Sequence, residues 1–129
     1  MSTTMVTSTR NVPLIAARVV AGLLGGAELA GVTYFTLVAP EEAVWVGPWL
    51  DIPIVALMVV GAALQLGLAL LPGLSATRRI VMGFVAAGLG IAVTLVKIPL
   101  YDEPEGVLFI GFDALLLVLL ALAWRSRRR

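Results

Sequence analysis

The sequence predicts an all-α, polytopic membrane protein: a bundle of four transmembrane helices with both termini on the cytoplasmic side. Three observations predict it. Of 129 residues, 60% are hydrophobic and only 13% are charged, with a mean hydropathy of +1.06, whereas soluble domains carry about 25% charged residues. The apolar residues fall into four runs, each close to the length of about 20 residues that a helix needs to cross a bilayer core. Arginines and connecting carboxylates alternate along the chain in opposite phase, the pattern of the positive-inside rule.

The residue types that are missing narrow the chemistry. With no Cys and no His, the chain has no disulfide, no thiolate metal site and no imidazole for haem, zinc or general-base work near neutral pH. No cofactor, metal or nucleic-acid partner is expected. Carboxylates, one Lys, Arg, Ser, Thr and Tyr are what remains for any reaction.

In chain order, residues 1–12 form a polar, Ser- and Thr-rich cytoplasmic tail with Arg10 as its charge. The apolar run that follows is too long for a signal peptide, and further spans come after it. Residues 13–124 form one transmembrane domain, with spans at about 13–39, 52–72, 79–101 and 106–124, and residues 125–129 are a basic cytoplasmic tail. Pro13 suits the first turn of the first span, where its missing N–H has no helical partner. At 100° per residue, Glu28 shares a face with Ala21, Leu24, Gly25, Gly31, Val32 and Phe35. Gly22, Gly25, Gly26 and Gly31 are expected to let neighbouring helices approach closely, a simpler account of them than a ligand site.

The first outer connection carries Pro40, Glu41, Glu42, Trp45, Pro48, Trp49 and Asp51. Trp45 and Trp49 read as anchors at the headgroup level, with Tyr101 and Trp124 in the same role; a lid over a cavity is the other use of this segment. The second span holds Gln65 as its strong polar group, more simply a helix-to-helix bond than a substrate contact. The third carries Gly83, Ala86, Gly90, Val93, Thr94 and Lys97 on one side, with Gly83 and Gly90 as packing positions. Pro99 should kink or end this helix beside Lys97, where freed carbonyls favour a cation. The acidic turn Asp102, Glu103, Pro104 and Glu105 leads into the last span, which buries Asp113.

Orientation follows from Arg10, Arg18, Arg78, Arg79, Arg125, Arg127, Arg128 and Arg129, all in segments that four crossings put on one side. Glu41, Glu42, Asp51, Asp102, Glu103 and Glu105 fall on the other. The first side is therefore cytoplasmic, and the Arg125 to Arg129 cluster is a topological anchor that also attracts anionic lipid. The richness in Arg, Ala, Gly, Val and Leu points to a bacterium of high GC content and so to its inner, plasma membrane.

At 1.5 Å per residue, Glu28 lies about 15 Å below the outer boundary, Asp113 about 10 Å and Lys97 about 6 Å. The three are expected to meet in the outer half, with Thr94 and Gln65 beside them. An ionisable group inside a membrane costs about 2.5–3.5 kcal/mol even on the lenient insertion scale, which makes it a functional candidate by default. The structural alternative is that Lys97 neutralises one carboxylate and the other is protonated. Size, span count and the first-span carboxylate are shared with small multidrug-resistance transporters, but their aromatic substrate pattern and weak charge bias are absent, and no family resemblance holds.

Three function classes remain. The first is a structural or accessory subunit whose glycine faces and acidic rim meet a protein partner or a second copy. The second is a small proton- or ion-coupled carrier or channel using Glu28, Lys97 and Asp113. The third is an enzyme that modifies lipids or isoprenoids with a carboxylate pair. The sequence ranks them in that order and leaves enzymatic activity undecided, with the balance against it.

Overall fold

The computed structural model describes residues 11–127, so Arg10, the rest of the N-terminal tail, Arg128 and Arg129 lie outside the described residues. Helix α1 spans Val12–Thr33 and continues through a π-helical turn at Tyr34–Val38. α2 spans Pro48–Leu70, α3 Ala76–Tyr101 and α4 Gly106–Arg127. Four helices are thus long and apolar enough to cross a membrane, and the described chain has the form of a multi-pass helical bundle.

Helices adjacent in sequence pack side by side, and α4 closes the ring against α1. Their contacts run antiparallel: Gly22 meets Ala69 while Gly25 meets Ala62 and Gln65, and Gly83 meets Leu120 while Gly90 meets Asp113. One end of the bundle therefore carries Val12, the α2–α3 turn and Arg127, and the other carries the Ala39–Gly47 loop and the Asp102–Glu105 turn. These are called the terminal end and the loop end below.

Local chemistry fixes the helix ends. Asn11 caps α1 by accepting from the Leu14 N–H at 3.2 Å, and its side-chain amide donates to the Ala123 carbonyl at 3.0 Å, tying the start of α1 to the end of α4. Ser75 caps α3 through the Arg78 N–H. At the C-terminal end of α2, where carbonyls lack helical donors, Arg18 donates twice to Ala69 O, at 2.8 and 3.2 Å, and Arg79 donates to Leu68 O and Leu71 O. These two guanidiniums are thus held inside the bundle by backbone carbonyls, which suits their place at the negative end of the helix dipole.

Several helix ends lie a few residues from the sequence reading. α2 begins at Pro48 instead of Ile52, because Gly47, at φ 152°, takes a backbone conformation that only glycine holds easily and delivers Pro48 to the first turn. α3 begins three residues early, at Ala76, and does not end beside Lys97; it runs through Pro99 to Tyr101, the end expected for the third span. Pro99 removes a single backbone donor so near the end that the loss is tolerated, and Asp102, left-handed at φ 53°, closes the helix with its N–H on Ile98 O. α4 continues past Trp124 to Arg127.

The core is uneven along the bundle axis. The terminal half packs solidly around Leu14, Ala17, Leu24, Leu68, Ile80, Leu116 and Leu120. In the loop half the buried apolar cluster is smaller, Ile54, Val93 and Tyr101, and the helices leave space between them.

Candidate functional site

That space is a cavity of about 440 Å³ at the loop end. α1 contributes Glu28, Gly31 and Phe35, and the other helices contribute Met58, Lys97 and Phe109. Loop residues Ala43 to Trp45 border it. Two hydrogen bonds hold that loop, from Tyr34 Oη to Glu42 Oε2 at 2.9 Å and from Trp45 Nε1 to Pro40 O at 2.8 Å. The walls are mainly apolar, whereas the mouth gathers Glu42, Asp102, Glu103 and Glu105.

Glu28 is half-buried in this wall. Among the described residues no hydrogen bond or ion pair reaches it. Lys97 lines the same cavity, but its Nζ pairs with Glu103 Oε2 at 3.4 Å. The direct ion pair of Lys97 is thus with Glu103 at the mouth, because that turn is within reach of a long flexible stem, while Lys97 and Asp113 both lie close enough to Glu28 to act on it electrostatically; among the described residues the expected trio comes together without a direct ion pair inside it. Thr94 also faces the cavity.

Asp113 is elsewhere. It is fully buried, at 0% exposure, in the core wall behind the cavity, where Gln65 Nε2 donates to its Oδ1 at 3.1 Å. Asp113 Oδ2 and Gln65 Oε1 are buried without a hydrogen-bond partner. Gly90, which lines the cavity, backs directly onto this carboxyl: a Cβ at position 90 would lie 2.6 Å from Oδ2. The polar residues of the spans thus form two sites, an open one around Glu28 and a closed one at Gln65 and Asp113. Among the described residues no three carboxylates converge as metal ligands.

The glycines divide in the same way. Gly22, Gly25, Gly83 and Gly90 stand where a Cβ would press on a neighbouring helix, with Gly25 only 2.9 Å from Ala62 O. Gly26 and Gly31 would meet nothing within 4 Å, so their expected packing role is corrected: Gly26 lies off the contact face and Gly31 borders the cavity. Gly106, not singled out from sequence, is a close contact, 3.0 Å from Thr94 Cγ2 by the same measure.

The aromatic anchors divide as well. Trp49 is 92% exposed and Trp45 borders the cavity. Trp124 lies at the terminal end. Tyr101 is not an interfacial anchor: it is buried, and its hydroxyl donates to Asp51 Oδ1. Asp51, expected on the acidic rim, is only 7% exposed, and its carboxylate also accepts from the Val46 and Gly47 N–H groups at 2.9 to 3.2 Å. The sequence signal for this clasp is Gly-Pro followed by an acid in the first turn, whose carboxylate reaches back to the N–H groups before the helix as a capping-box acid does from one residue earlier. Comparison with protein-family models, curated proteins and solved structures gave no match.

Proposed function

We propose that this chain is a small plasma-membrane bundle of the carrier or channel class, which takes an amphipathic cation into the loop-end cavity with Glu28 as the recognising charge. The observation that carries this reading is an unpaired carboxylate in the apolar wall of a cavity whose mouth is acidic. A carboxylate in such a wall loses much of its hydration, so a cation that replaces the lost water is favoured over a neutral molecule of the same shape. The carboxylates at the mouth add long-range attraction of the same sign.

Orientation belongs to the same proposal. The loop end faces outward and both termini face the cytoplasm of a bacterial cell, an arrangement supported by Arg18, Arg78, Arg79, Arg125 and Arg127 near the terminal end. Arg125 and its neighbours would draw anionic lipid to that side.

The test is binding of the lipophilic cation tetraphenylphosphonium to the protein in nanodiscs. Saturable binding that Glu28→Gln weakens by about tenfold or more, the equivalent of ~1.4 kcal/mol, supports the reading. Equal affinity in the two proteins overturns it.

The accessory-subunit reading keeps one specific support. Gly26 and Gly111 face open space, which leaves room on the outer surface for a partner helix or a second copy. Native mass spectrometry from nanodiscs separates the two readings, since a stable complex is needed only for the second.

A further inference from the structure

We propose that Asp113 and Gln65 form a proton-binding site in the closed half of the bundle, with Asp113 carried as the neutral acid and its Oδ2 hydroxyl donating to Gln65 Oε1. The inference rests on counting donors and acceptors. A carboxylate and a primary amide offer two donors, both on Gln65 Nε2, and three acceptor oxygens. One donor is used on Asp113 Oδ1, while Asp113 Oδ2 and Gln65 Oε1 stay buried and unpartnered. Two buried acceptors in one polar pair are left without a donor. One added proton converts Oδ2 from acceptor to donor, and the pair can then close a ring of two hydrogen bonds, as carboxylic acids and amides do.

Other partners are disfavoured by what surrounds the pair. Lys97 on α3 is committed to Glu103. Glu28 on α1 carries charge of the wrong sign, and the second carboxylate of α2, Asp51, is bound at the loop end by Tyr101 and two backbone N–H groups. Arg18 and Arg79 are held at the opposite end by the carbonyls of α2. Gly90 packs against Oδ2 so closely that its missing side chain is what admits the carboxyl, and no room is left between Oδ2 and α3 for a bridging water or ion. A proton is the one ligand that needs no space. Buried polar groups are paired in native structures as a rule, and here the proton completes the pairing.

The experiment is infrared spectroscopy of the full chain in nanodiscs at neutral pH, with aspartate labelled by ¹³C at its side-chain carboxyl. The expected result is a protonated-carboxyl C=O band that moves with the label, disappears in Asp113→Asn and shifts to higher frequency in Gln65→Met, where both amide partners are gone. Asn supplies a donor in place of the hydroxyl, so that variant should fold; if it does not, the Gln65→Met shift decides alone. Aspartate signals from ionised carboxylate only, or a protonated band that neither variant changes, would overturn the proposal.

Discussion

Gly90 on α3 and Asp113 on α4 face each other so closely that a Cβ on residue 90 would stand 2.6 Å from Asp113 Oδ2. The smallest residue of one helix makes the place for the buried carboxyl of the next. Because Gly90 also lines the cavity, this contact separates the open site from the closed one.

Enlarging that position should therefore be costly. Gly90→Ala is expected to lower stability by about 1–3 kcal/mol, the usual range for overpacking, and Gly90→Leu by more. Gly111→Ala, which adds its methyl where nothing lies within 4 Å, and Leu115→Ala, on an exposed position of α4, should change stability little. Thermal unfolding in detergent checks the order; equal melting temperatures for Gly90→Ala and Gly111→Ala would contradict the contact.

The Lys97 and Glu103 side chains are 20% and 37% exposed, and partly exposed ion pairs contribute only about 0–1 kcal/mol. Lys97→Met and Glu103→Gln should both fold with nearly unchanged melting temperatures. Had Lys97 been the counterion of Asp113 in the core, its removal would have cost about 3–5 kcal/mol. A loss of that size for Lys97→Met would show that the lysine serves the core after all.

Asp51 and Tyr101 join the start of α2 to the end of α3, and they should act as one unit. Tyr101→Phe removes one donor, and Asp51→Ala removes the shared acceptor of three. The double variant is expected to be no less stable than Asp51→Ala, since groups in one network are not additive. Fully additive losses in chemical unfolding would mean that the hydroxyl contributes apart from the carboxylate.

Topology can be read from reporter fusions. A fusion after Arg129 should report the cytoplasm and one inserted at Glu103 the opposite compartment, as the arginine distribution requires. The same compartment for both would break the four-crossing scheme, and a reversed pair would turn the loop-end cavity to the cytoplasm.

What the sequence determined by itself was whatever depends on one residue and its helical neighbours. Run length and composition set four helices, and the 100° rule found the inward face of α1 through Ala21, Leu24, Gly25 and Val32, all of them buried. Gly83 and Gly90 on α3 were placed by the same periodicity. Which polar group meets which was decided only in three dimensions. Depth along the axis brought Glu28, Lys97 and Asp113 to similar levels, but depth says nothing about rotation between helices, and that rotation sent Asp113 to Gln65 behind Gly90. Lys97 turned to Glu103 because a four-carbon stem can reach a turn as readily as the core. Asp51 looked like a loop charge until Gly47 and Tyr101 enclosed it. The cavity itself has no sequence signature, since it is the space left where the four helices stop filling one another.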